Sequence, residues 1–222
     1  MLNIDPKEVS RYLSYRGTDP DERVSAMITE CIADVNSAAV PRSVVKRFPL
    51  EVLEDGSFRA ASVTLKSDSL RRNLTGCDEV FLFGATLGTG VDVLIRRASV
   101  MDIARGVVTQ AAAAAAIEAY CDALNDKLRR QVTAEGLYLR PRFSPGYGDL
   151  DLSCQQTIIH VLQAPKEIGL TLTDSGLMVP VKSVTALIGI SSVSTDCVRE
   201  GCEVCSKGDC AFRRDKAIGS RQ

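Results

Sequence analysis

The chain has 222 residues, 45% of them hydrophobic, and 27 Lys and Arg against 28 Asp and Glu give a net charge of −1. That length supplies one proper core with room for a small appendage, and the balanced charge provides no global field for nucleic acid or an anionic membrane. No run approaches the roughly 18 apolar residues of a membrane helix, and the start, Met1 to Glu8, has neither a basic nor an apolar leader, so the expectation is a soluble cytoplasmic protein.

Asp5-Pro6-Lys7-Glu8 has an acidic cap, Pro at the first helical position and Glu in the first turn, and so predicts a helix start. Asp19-Pro20-Asp21-Glu22 repeats the device. After it, Val24, Met27, Ile28, Cys31, Ile32 and Val35 fall at helical spacing, which makes Cys31 a small core residue. Arg16-Gly17-Thr18 reads as a short loop between the two helices.

Two runs rich in β-branched and aromatic residues, 43–52 and 58–65, flank Asp55-Gly56, a hairpin signal. A short helix over 67–74 and a buried strand over 79–85 follow. The glycine-rich turn Gly84 to Gly90 lacks both the Walker lysine and the dinucleotide glycine spacing, so a packing turn fits it better than a phosphate cradle. From Asp92 to about Val132 the pattern gives one or two long helices. Within them, Gln110 to Ile117 is almost all Ala, which favours a helix that neighbours can approach closely from every side. Glu118 follows this run. Either it faces solvent with Asp122 and Asp126, which succeed it at i+4 spacing, or it is a paired carboxylate in a covered turn.

Arg140-Pro-Arg-Phe-Ser-Pro-Gly-Tyr-Gly148 stands out. Pro141 and Pro145 fix φ and push Arg140 and Ser144 toward extended geometry, while Gly146 and Gly148 allow a tight turn around Tyr147. A stiff ribbon with outward carbonyls can hold a small polar ligand, and a Pro/Gly-rich turn can also be a mere connection. Beyond it, Ser153 would cap a helix through Leu162, on which His160, the chain's one histidine, is a surface or half-buried residue. Strands are expected near 170–175 and over Ser183 to Ser191, with Pro180 breaking the chain between them.

The tail holds Cys197, Cys202, Cys205 and Cys210 in a C-x4-C-x2-C-x4-C arrangement. An iron–sulfur cluster, a four-thiolate zinc site, and loose thiols or disulfides all remain open readings. Cys77, Cys121 and Cys154 are dispersed and read as structural.

The pattern R-x-S-P-G-Y, followed by a helix and then Met178-Val-Pro-x-x-Ser183-Val184, resembles the activation domain of vitamin B12-dependent methionine synthase. So does Glu118-Ala-Tyr-x-Asp-x-Leu-x-Asp. The likeness runs over roughly residues 75–192, with 1–74 diverged and the family's late Tyr-containing ligand segment replaced by the Cys tail. It implies an α+β fold, a mixed or antiparallel sheet packed against long helices over 1–192, with a separate Cys-rich stretch over 193–222. It also implies S-adenosylmethionine as ligand, held by Glu118, Arg142, Phe143, Ser144, Pro145, Gly146 and Tyr147, largely through main-chain contacts. Arg142 would take the ligand carboxylate and Glu118 its amino group.

The chain carries no Asp-x-His-x-x-Gly motif, so cobalamin is expected on a separate methionine synthase subunit. A reductase, or a flavodoxin- or ferredoxin-type donor, would supply the electron, and the chain would be a free-standing activation subunit for reductive remethylation of cob(II)alamin. The alternatives are a redox or metal-responsive regulator working through the tail cysteines, and an activator of another corrinoid methyltransferase.

Overall fold

A computed structural model describes residues 1–15 and 18–194. The first predicted N-terminal cap forms as read, whereas the second falls two residues beyond the expected Asp19, leaving Pro20 outside the helix. Helix α1 (Pro6–Tyr12) starts behind Asp5, whose carboxylate accepts from Lys7 N at 2.9 Å. Helix α2 (Glu22–Ala38) starts behind Asp21, the second acid of its predicted start, which accepts from Val24 N at 2.8 Å. Ile28, Cys31 and Val35 are buried along one stripe of α2.

The predicted hairpin is only partly realised. Strand β1 (Arg42–Pro49) turns away, and only β2 (Glu51–Val52) pairs with β3 (Phe58–Ala60) around Asp55-Gly56. The second run also splits, because Ala61 at φ +53° folds β3 back on β4 (Val63–Leu65). After α3 (Asp68–Leu74) comes β5 (Cys77–Thr86), and β1 pairs with it antiparallel from Arg42↔Thr86 to Pro49↔Glu79. An eight-residue ladder over a buried strand outweighs the two-residue pairing that the local turn offers, which is why the first run divides at Leu50.

Helix α4 (Thr89–Met101) begins at Gly88, whose φ is +83°, and a Cβ at Gly90 would stand 2.5 Å from Ala38 O, so the glycine-rich turn packs closely against the end of α2. Asp102 then caps α5 (Ile103–Ala134), in which Ala111, Ala112, Ala113, Ala115 and Ala116 are all buried. The remaining elements are β6 (Tyr138–Leu139), α6 (Cys154–Leu162), α7 (Ala164–Ile168), β7 (Thr171–Leu172), β8 (Met178–Val179) and β9 (Ser183–Ser191). The last covers the predicted residues. Of the strand expected near 170–175 only Thr171 and Leu172 form, paired with β8.

Among the described residues the largest sheet has the order β1-β5-β9-β6, every neighbouring pair antiparallel. Alternation along β5 and β9 divides the core between its two faces. Phe81, Phe83, Ala85, Ala186, Ile188 and Ile190 meet α1, α2, α4 and α5. Val80, Leu82 and Leu187 meet α3, α6, α7 and the β3–β4 hairpin. With apolar side chains on both faces, these strands read as unbroken hydrophobic runs, as sheets covered on both sides do. Among the described residues no helix is long and apolar enough to cross a membrane.

Candidate functional site

The proline-rich ribbon continues β6 along the free edge of β9. Arg140 N donates to Gly189 O at 2.8 Å, and Phe143 and Leu187 exchange both backbone bonds at 2.8 Å. The carbonyls are therefore less open than the sequence suggests. Phe143 O accepts from Leu187 N, Ser144 O from Tyr147 N at 3.0 Å, and Pro141 O from Asn73 Nδ2 at 3.4 Å. Pro145 is buried. Gly146 and Gly148 take φ of +86° and +54° and turn the chain around Tyr147. At Gly148 a Cβ would stand 2.6 Å from Ser69 Oγ, so the position needs glycine on space as well as on dihedral grounds.

Two residues to which the sequence reading gave no anchoring role fix the ribbon's ends. Arg140, 4% exposed, donates through Nη2 to Thr75 O at 2.8 Å, at the C-terminal end of α3. Asp149 accepts from Ser67 Oγ at 2.6 Å, Asp68 N at 2.7 Å and Ser69 N at 2.9 Å, at the opposite end of the same helix. Those donors hold the Asp149 carboxyl below the usual carboxylate range. The signal for Asp149 was weak, since a lone Asp after a glycine resembles any turn.

Between these anchors, Arg142 reaches across to α5. Its Nη2 lies 3.1 Å from Glu118 Oε2 and 2.7 Å from Asp122 Oδ1. Glu118 and Asp122 sit one turn apart on the helix and both face the ribbon, whereas Asp126 pairs with Arg129 on its own helix. Of the two readings of Glu118, the paired one therefore holds. Burial opposes the Arg142 charge, but the attraction of its neighbours outweighs it and keeps the pKa above the ordinary arginine value. Cys121 is fully buried beside the pair, and burial pushes its thiol up to about 12, so it is a neutral packing group at physiological pH.

Tyr147 is 56% exposed at the turn, its ring edge-on to Phe143 with centroids 6.0 Å apart. Phe143 is half-buried and packs toward α3 and α6, and half-buried Ser144 follows it. The structure thus brings Glu118 and Arg142 together where the ribbon meets α5, leaves Tyr147 exposed at the turn beside Phe143, and sets Phe143 and Pro145 inward.

Ser183, from the second resembling motif, is buried with Oγ 2.7 Å from Pro180 O and 2.8 Å from Thr86 Oγ1, and so joins β9 to β5. His160 is exposed, as expected. A shallow concavity of about 450 Å³ by α6 and α7, lined by His160, Gln163, Pro165 and Lys166, holds none of the predicted ligand residues. Cys197, Cys202, Cys205 and Cys210 lie outside the described residues, and among the described residues no group of His, Cys, Asp and Glu could hold a metal ion.

Comparison with curated proteins gives no match. Among solved structures, the chain is similar to one described as the MetH reactivation domain bound to AdoHcy. The TM-score is 0.63 at 20% identity, over 89% of this chain and 77% of that one. The likeness in fold thus takes in part of the N-terminal third, where sequence resemblance fades. Residues 60–196 match the family model described as "Vitamin B12 dependent methionine synthase, activation domain". That span is more than half of the sequence, and the chain belongs to this family of activation domains.

Proposed function

We propose that this domain binds S-adenosylmethionine along the Arg142–Tyr147 ribbon and supports reductive remethylation of cob(II)alamin. The cobalamin would be held by a methionine synthase unit outside these 222 residues. One observation carries the reading: Arg142 on the sheet edge and Glu118 on α5 face each other at 3.1 Å. A guanidinium and a carboxylate so placed match the carboxylate and ammonium of an α-amino acid. On binding, the ligand carboxylate takes Arg142 and its ammonium takes Glu118, so the internal pair opens onto the ligand. Ser144 and Gly146 supply backbone along the ligand, Tyr147 packs on it from the exposed turn, and Phe143 and Pro145 hold the ribbon in place from below.

The task of the chain is positioning. The donor supplies a methyl group that the partner's cobalt accepts after one-electron reduction by a reductase or a flavodoxin- or ferredoxin-type donor. No residue of the site needs to act as an acid or a base. We assign this work to residues 1–192. The tail over 193–222 is a candidate metal-binding segment, whose cysteine spacing supports iron–sulfur or zinc; iron, sulfide and zinc analysis of anaerobically prepared protein distinguishes them.

Isothermal titration with S-adenosylmethionine tests the main reading. Saturable binding that Arg142→Ala abolishes is the expected result. No heat at millimolar ligand, with the protein folded, overturns it.

A further inference from the structure

Helices α4 and α5 fold back on each other at Asp102, so closely that a Cβ at Gly106 would stand 2.6 Å from Ser99 Oγ. Helix α2 packs against both, so the exposed faces of the pair point the same way, outward from it. On α4 that face carries Val93, Arg96, Arg97 and Val100, at positions i, i+3, i+4 and i+7. On α5 it carries Ile103 and Val107. All six are exposed, Val100 at 84% and Ile103 at 80%. Arg105, by contrast, turns to α2 and pairs with Glu30 and Asp34. Among the described residues neither Arg96 nor Arg97 has an ion-pair partner. A single exposed valine is ordinary, but four large apolar side chains on one side of a helical pair form a patch that marks a contact surface.

The same side of α5 leads to the candidate ligand site. Val107 and Glu118 are eleven residues apart, about three turns and about 16 Å along the axis, so both point to one side of the helix. There the Glu118 side chain is 32% exposed. A unit that takes a methyl group from a ligand at Arg142 and Glu118 must come over this side. A specific protein contact covers about 800 Å² on each partner, more than the mouth of a ligand site, so it calls for adjoining surface with an apolar centre. We propose that the α4–α5 hairpin docks the cobalamin-holding unit, which meets Arg96 and Arg97 with carboxylates and covers Val93, Val100, Ile103 and Val107. The inference rests on the function proposed above. A second copy fits this face less well, because a two-fold contact through it sets the arginines against their own equivalents. An anionic membrane fits less well too, since the chain as a whole carries a net charge of −1.

Isothermal titration of the full chain against a purified cobalamin-binding methionine synthase unit tests this, with circular dichroism as the check on folding. Two double variants are compared with wild type, Arg96→Glu with Arg97→Glu and Val100→Ser with Ile103→Ser. Each weakens the complex about tenfold or more, and the charge reversal also removes the salt dependence that wild type shows. Both keep wild-type affinity for S-adenosylmethionine, because neither touches the ligand site. A complex of equal strength in both variants overturns the hairpin as the docking surface and leaves the proposed function standing. Wild type that binds S-adenosylmethionine but not the cobalamin unit overturns the docking inference alone. Wild type that binds neither overturns the proposed function, and this inference with it. Sedimentation velocity and flotation with phosphatidylserine vesicles complete the test. Self-association or vesicle binding that both variants lose assigns the face to a second copy or to lipid, and overturns the proposal.

Discussion

Arg142 and Glu118 lie 24 positions apart in sequence and meet at 3.1 Å, one on the edge of the sheet and the other on the helix that covers its face. The Arg142 side chain is 17% exposed and that of Glu118 is 32% exposed, so the pair is half-desolvated and still reachable from solvent. Because Asp122 shares the same guanidinium nitrogen, removing Arg142 leaves two like charges facing each other across one helical turn. Arg142→Ala should lower stability by about 1 kcal/mol, read from urea midpoints, besides removing ligand binding. Arg142→Lys should restore part of the stability and little of the binding, since an ammonium lacks the planar fork.

Gly189 sits where α3 and Arg140 press onto β9. A Cβ there would stand 2.6 Å from Cys77 Sγ, 2.7 Å from Leu74 Cδ2 and 3.1 Å from Arg140 Cγ. Gly189→Ala should cost about 1–3 kcal/mol by overpacking. A urea midpoint equal to wild type would show that these neighbours can yield.

Asp149 receives three donors from the start of α3, so its folded-state pKa lies below its unfolded value. The contribution of those bonds is fully present above the ordinary carboxylate pKa of about 3.9. It fades as pH falls through that range toward the lower folded value. Asp149→Asn should therefore destabilise the protein at pH 7, and the gap from wild type should shrink between about pH 4 and pH 2. Thermal melts across that window measure it.

Cys121, fully buried with its thiol pKa raised to about 12, should resist iodoacetamide at pH 8 in the folded protein and react once urea unfolds it. Peptide mass spectrometry reads the outcome directly. Alkylation under native conditions would mean that α5 opens from the ribbon far more often than its packing implies.

Local signals were the legible part of the sequence. Asp5 and Asp21 announce their helices through hydrogen bonds made within three residues, and the alanine run of α5 forecasts its own burial. The fate of residues 43–52 was not legible, because Asp55-Gly56 is a local cue whereas β1 pairs with partners 30 to 44 positions away, from Pro49↔Glu79 to Arg42↔Thr86. No short-range rule weighs one against the other. The role of Asp122 was hidden for the same reason. Its spacing from Glu118 fits a solvated helix face, and only the path of the ribbon turns that face inward. The motif pointed to Arg142 and Tyr147 as candidates, yet could not tell which carbonyls β9 would occupy.

Within three positions the ribbon sends Arg140 to α3 on one side of the sheet and Arg142 to α5 on the other. It works as a rivet through both layers. Inserting one residue between them would reverse the side every later group faces and pull the two layers out of alignment together, whereas the exposed tip at Glu54 and Asp55 could lengthen with neither layer disturbed.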